Sequence, residues 1–206
     1  MNIMTKGLIT FLLFCFALPV WANDTEQDGP KVVVEKAVNG ILHALGSRKD
    51  QSKLTEKDRA AIRQQVEGRF DYREMARRSV GRPWRKQSSE QQAAFTKTFR
   101  QLLERSYGNR LSAYHGQIVE FDNAEFKRNK ARVKTRIIDS NKITPVSYRL
   151  LQSAGTWQVY DIKIEGVSLI GTFREEFKGL LKKDGFDGLL KKLQDKVARL
   201  KKKDAS

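Results

Sequence analysis

The stretch Gly155 to Arg174, GTWQVYDIKIEGVSLIGTFR, constrains the fold more than any other part of the chain. It opens on a turn glycine and then alternates: Trp157 and Val159 on one side, Tyr160, Ile162 and Ile164 on the other. A strand that is apolar on both faces must be covered on both. The pattern breaks at Glu165-Gly166, where glycine accepts a turn that other residues resist. A helical period follows through Phe173, Phe177, Leu180 and Leu181 up to Lys183.

The rest of the chain places this strand late in an ordered series. Pro30 suits a first helical turn, and Val34, Val38, Ile41, Leu42 and Leu45 recur at helical spacing up to Gly46. Thr55 with Asp58 forms a capping-box signature for a second helix running towards Val66. Phe70 to Val80 reads as a short helix stopped by Gly81 and Pro83. Ser88 and Ser89 with Gln91 and Gln92 start the longest helix, whose inward stripe is Phe95, Phe99, Leu102, Leu103, Ser106 and Arg110, widened by Tyr107, Leu111 and Tyr114. The period then changes to two, giving strands over Ile118–Phe126, Lys130–Ile138, Thr144–Gln152 and Thr156–Ile164. Two helices close the chain, the second from Phe186 to Leu200 after Gly185. Helices, then a meander of strands, then helices predict an α+β fold: an antiparallel four-stranded sheet covered by helices.

The beginning of the chain is a different kind of segment. Lys6 precedes an almost wholly apolar run from Leu8 to Val20, and Val20-Trp21-Ala22 supplies small residues at the −3 and −1 positions of a cleavage site. Residues 1–22 read as a secretory signal peptide cut between Ala22 and Asn23. The run is too short for the roughly 20 residues that span a bilayer. Removing 22 of the 206 residues leaves 184, enough for one domain, 23–206, with a basic C-terminal tail. The cut also removes Cys15, the one cysteine, so the exported protein relies on packing alone. Its formal charge falls from +16 to +15, with 39 basic against 24 acidic side chains. Such an excess attracts anionic surfaces, and export argues against nucleic acid as the partner.

Motifs of catalysis are scarce. Gly166-Val167-Ser168-Leu169-Ile170 approaches a nucleophile elbow, but Ile170 stands where glycine is required, and Ser168 reads as a helix N-cap. Only two histidines are present, His43 near the core stripe of the first helix and His115 in a loop, neither with a second ligand at metal spacing. There is no phosphate-binding glycine loop and no dinucleotide fingerprint. Asp161, in mid-strand among apolar residues, is either a buried general base or a carboxylate paired with an arginine or a turn backbone, and pairing is the commoner use. The last helix carries Phe186, Leu189, Leu190, Leu193, Val197 and Leu200 opposite Lys191, Lys192, Lys196 and Arg199. Such a stripe packs on its own domain more often than on a membrane.

Several blocks together resemble one family. They are Phe70-Asp71-Tyr72 with Met75-Ala76 and Val80-Gly81 before Trp84; Phe95, Phe99, Leu102, Leu103 and Tyr107; Tyr148-Arg149-Leu150; Trp157-Gln158-Val159-Tyr160-Asp161; and Ile164-Glu165-Gly166-Val167-Ser168-Leu169. Arg174, Phe177, Gly185 and Leu189 follow at the expected distances. This pattern is similar to the MlaC, or toluene-tolerance, family, from about Val32 to Leu193. The resemblance implies a periplasmic phospholipid carrier with a nuclear-transport-factor-like sheet and an apolar pocket between sheet and helices. It implies a diacyl phospholipid as cargo and no other cofactor. It also implies an inner-membrane lipid ABC transporter complex and an outer-membrane lipoprotein complex as partners, transient membrane contact, and a role in outer-membrane lipid asymmetry.

The pocket candidates follow from the predicted elements. The long helix offers Phe95, Phe99, Leu102, Leu103 and Leu111, and the second and third strands offer Val133, Ile137, Val146, Tyr148 and Leu150. The last strand and its turn offer Tyr160, Ile162, Ile164 and Val167. Arg82 and Arg149 are candidate neighbours for the headgroup phosphate. Two other readings stay open on sequence alone: a small-molecule enzyme using Asp161 or Asp71 as base, and a basic envelope adaptor acting through the last helix.

Overall fold

A computed structural model describes residues 28–50, 53–111 and 116–205. The predicted signal peptide with its expected Ala22/Asn23 cut, Tyr114 and His115 lie outside the described residues. Helix α1 (Pro30–Gly46) carries proline in its first turn, and α2 (Glu56–Val66) opens on the predicted capping box. There the Asp58 N–H donates to Thr55 Oγ1 at 3.2 Å, and the Thr55 N–H donates to the Asp58 carboxylate at 2.8 Å. Helix α3 (Tyr72–Val80) is capped by Asp71, which accepts from the Glu74 N–H at 2.8 Å, and ends at Gly81 with φ 74°. After a 3₁₀ turn (Arg82–Lys86), α4 (Ser89–Leu111) begins with a reciprocal Ser88–Gln91 cap. His43, expected near the core stripe of α1, is instead exposed.

The sheet differs in count from the predicted four strands but not in kind. The first predicted strand is two, β1 (Ile118–Phe121) and β2 (Glu125–Lys127), both antiparallel to β3 (Lys130–Asp139). Asp122-Asn123 between them favours a turn over a continuous ladder. β4 (Lys142–Ser153) and β5 (Thr156–Ile164) extend the meander through a two-residue turn, Ala154-Gly155, with φ 47° and 80°. A second such turn at Glu165-Gly166, φ 50° and 83°, leads to the two-residue β6 (Val167–Ser168). The order is β1-β3-β4-β5-β6, with β2 also on β3.

A β-bulge decides which residues face the same way. Arg149 pairs with Asp161, but Leu150 pairs with Val159, so Tyr160 is an extra residue on β5. One extra residue resets the alternation. Ile162 and Ile164 therefore share a face with Trp157 and Val159, contrary to the two-sided pattern expected from the sequence. Tyr160 turns away and joins the helices on the other side. The inner face is thus mainly apolar, with Val133, Val146, Tyr148 and Leu150 beside the buried Thr135, and the outer face carries exposed Arg132, Lys134 and Arg136.

Helix α5 runs from Leu169 to Ala205 but is broken at Gly185, whose φ of 68° and ψ of −170° are not helical. Its start is fixed by Ser168, which accepts from the Gly171 N–H at 2.9 Å. Phe186, Leu189, Leu193 and Val197 of the second arm are buried in the helical core, so its apolar stripe faces its own domain. That core is aromatic: Phe95, Phe99, Phe173, Phe177 and Phe186 stand with ring centres 5.1 to 6.0 Å apart in neighbouring pairs. A second, smaller cluster seals α1 to the sheet through Val33, Val34, Val133, Leu150 and Val159.

Candidate functional site

Between these two cores the packing stops short. An apolar chamber of about 300 Å³ lies between the inner face of the sheet and helices α1, α2 and α4. The sheet supplies Ile137, Val146, Tyr148, Ile162 and Ile164; α1 supplies Val38 and Ile41; α2 supplies Ile62 and Val66; α4 supplies Leu103, Tyr107 and Leu111. Phe70, Tyr72 and Met75 close the side next to the aromatic core. A second chamber of about 300 Å³ shares Val38, Ile41, Leu111, Ile137 and Tyr148 with the first. It continues to Leu42, Leu45 and Val119, and ends at Gln117, Asp139, Lys142 and Thr144.

Charge enters the first chamber at one side only. Arg59, Arg63 and Glu104 are its charged lining residues, all on α2 or α4. Arg63 Nε stands 3.1 Å from Glu104 Oε2, and Arg100 Nε donates to the other Glu104 oxygen at 2.8 Å. Arg59 is buried and lies 3.2 Å from the buried Asp204 carboxylate, which also holds Arg105 at 2.6 Å. Gly108 makes room for that guanidinium: a Cβ there would come within 2.7 Å of Arg59 Nη1. Burial, helped by the nearby Glu104 charge, pushes the Tyr72 hydroxyl well above its ordinary value. Burial also pushes Tyr148 up to about 12.

Seven of the fourteen apolar candidates from the sequence line the first chamber: Leu103, Leu111, Ile137, Val146, Tyr148, Ile162 and Ile164. The others stand elsewhere. Phe95, Phe99, Leu102 and Tyr160 are packed in the helical core, where ring fills ring. Val133 and Leu150 are fully buried under α1. Val167 is 65% exposed, because the Glu165-Gly166 turn carries it past the end of the sheet. Of the arginines, Arg82 is exposed on the 3₁₀ turn, and Arg149 is 3.3 Å from Asp161; neither lines a chamber. Sequence reasoning missed the α1 and α2 walls and the Arg63–Glu104 pair. For α1 the available signal was the aliphatic, ring-free pair Val38 and Ile41 facing the strands; α2 offers only Ile62 and Val66.

The two carboxylates considered as bases are engaged in structure. Asp161 is buried and accepts from Ser168 Oγ at 2.8 Å and the Ile170 N–H at 3.2 Å, besides facing Arg149. Asp71 caps α3. Among the described residues no group of three or more His, Cys, Asp or Glu side chains could hold a metal ion.

The fold and this chamber can be set beside known proteins. The family profile described as MlaC protein matches residues 35–195. The chain belongs to the MlaC family. A MlaC relative, the intermembrane phospholipid transport system binding protein of Haemophilus influenzae, is 24% identical over 201 residues, covering 93% of this chain and 92% of that protein. The toluene tolerance protein ttg2D of Pseudomonas putida is 27% identical over 190 residues, covering 90% of this chain and 86% of its own length. The structure of a phospholipid-binding protein from Ralstonia solanacearum, solved in complex with a phospholipid, superposes with a TM-score of 0.77 at 25% identity. That match covers 84% of this chain and 99% of the other. The MlaC fold is therefore the helix-covered antiparallel sheet seen here. Among the described residues no helix is long and apolar enough to cross a membrane.

Proposed function

We propose that this MlaC-family protein is a periplasmic phospholipid carrier that enters by its cleaved signal peptide and holds the acyl chains in the two adjacent apolar chambers. The observation that carries this reading is the chamber itself, apolar on the sheet, α1 and most of α2 and α4, inside a fold shared with a phospholipid-bound relative. Exposing two acyl chains, roughly 30 methylenes at about 0.8 kcal/mol each, costs about 25 kcal/mol in water. A lipid leaving one membrane needs that area covered until it reaches the next. Loading from an outer-membrane lipoprotein complex and exchange with an inner-membrane ABC transporter complex would serve outer-membrane lipid asymmetry, with any energy supplied by the membrane partners.

The chain's part is binding and not catalysis. The structural duties of Asp161 and Asp71 support this, as does their absence from the chamber lining. The buried stripe of the last helix likewise supports a carrier over an adaptor that would use that stripe on a membrane. Mass spectrometry of the mature protein, purified from periplasm without detergent, tests the proposal. A stoichiometric adduct, identified as diacyl phospholipid after denaturing extraction, is expected. A reproducibly empty protein that also takes up no lipid from vesicles would overturn it.

A further inference from the structure

Arg63 and Glu104 have two sides. One faces the apolar chamber; the other borders a polar surface groove of about 360 Å³ lined by Glu56, Lys97, Arg100, Gln101, Arg105 and Lys201 as well. A glycerophospholipid has the same arrangement: its phosphate lies just beyond the glycerol from which both chains hang. We infer that this groove is the headgroup subsite, taking the phosphodiester of the lipid whose chains fill the chamber and favouring headgroups with a net negative charge. The inference rests on the carrier reading.

The charges decide for an anion. Four arginines at the groove and its wall, Arg59, Arg63, Arg100 and Arg105, are matched by four carboxylates, Glu56, Glu67, Glu104 and Asp204. Those pairs hold the guanidinium groups in place without net charge. Lys97 from α4 and Lys201 from the end of α5 are left over, and neither has a hydrogen-bond or ion-pair partner among the described residues. The groove therefore carries a surplus of two positive charges. Lysine places such charge on a long flexible stem, so both ammonium groups can close on a phosphate after the chains are seated. A phosphate at the Arg63 rim would also find fixed N–H donors there.

The test uses the full mature protein equilibrated with vesicles of equal parts phosphatidylglycerol and phosphatidylethanolamine, reading the ratio of the two lipids in the bound pool. An equilibrium ratio is insensitive to how quickly the protein meets a charged vesicle. Wild type should be enriched in phosphatidylglycerol, and K97E with K201E should lower the bound ratio by about tenfold while lipid occupancy persists. K182E with K183E, an equal charge change at exposed sites outside the groove, should leave the ratio as in wild type. Equal shifts in the two double variants, or no enrichment in wild type, would overturn the subsite. Saturable binding of inorganic phosphate by protein already loaded with phosphatidylglycerol would overturn it too, as a site for the free ion. Wild type that takes up neither lipid would instead overturn the carrier reading.

Discussion

Two apolar regions adjoin in this molecule, built from residues that look alike in the sequence. In the aromatic core, Phe95, Phe99 and Phe177 are fully buried and each ring is held by others at edge-to-face or stacked distances. In the chamber next to it, Ile162, Tyr107 and Leu111 are only partly buried, and aliphatic side chains from four directions fail to meet. The difference is one of shape. Rings on α4 and α5 fill the gap between helices, whereas α1 and α2 bring mainly Val, Ile and Leu against a sheet face that is also aliphatic. Helical period reports that a residue is inside; it does not report whether the inside is full.

The sharpest way to break the comparison is to hollow out the filled side. Phe99→Ala removes a ring that touches Phe95, Phe173 and Phe177 and should cost about 3–5 kcal/mol. Chemical denaturation would show it, and lipid should be lost only as the fold is lost. A loss below about 1 kcal/mol would mean that the core relaxes as readily as the chamber wall.

The seam between the regions comes next. The bulge that sends Tyr160 to the core and Ile162 to the chamber is tied to α5 by Asp161, through Ser168 Oγ and the Ile170 N–H. Asp161→Ala strips partners from buried donors and should cost about 3 kcal/mol. Asp161→Asn keeps an acceptor for them and should cost less. The comparison of the two in urea reads the strength of the seam, and equal losses would assign the effect to the charge facing Arg149.

Filling the unfilled side should do the opposite to function and stability. Ile162→Trp puts a ring into the chamber where space exists, at a cost of about 1 kcal/mol or less. Bound lipid, weighed by mass spectrometry, should fall sharply while the denaturation midpoint holds. Retained lipid with an intact fold would move the acyl chains away from this wall.

Much of this was legible in the sequence because the signals are local. The Thr55–Asp58 and Ser88–Gln91 caps, the stop at Gly185 and the turn at Glu165-Gly166 each depend on a few neighbouring residues. The face of Ile162 was not legible, since a bulge is a relation between two strands and nothing in WQVYDIKI marks Tyr160 as the extra residue. Nor was α2. Its stripe is only Ile62 and Val66 with alanines, too thin to announce a wall, and Arg63 reads as an ordinary surface cation until Glu104 is placed beside it. The long helix misled in another way: Phe95 and Phe99 share a stripe with Leu103, yet only the last reaches the chamber.

The smallest effect bears on how dry the chamber wall is. Burial raises the Tyr148 hydroxyl to about 12, against an ordinary tyrosine near 10. In the unfolded chain the proton leaves near the ordinary value, while in the folded protein it stays, so the unfolded state binds fewer protons across that window. The stabilisation is fully present below pH 10 and is lost as pH rises through about 12. Tyr148→Phe cannot titrate, so its urea midpoint should fall less steeply than that of wild type over this range. Tyr72, also raised by burial and also on the chamber wall, contributes to the slope that remains. Parallel slopes would place the Tyr148 hydroxyl in water and make the chamber wet at the sheet. A flatter slope for the variant gives the chamber the low-dielectric lining that acyl chains require, which separates it from an ordinary surface cleft as clearly as the ring packing separates it from the core.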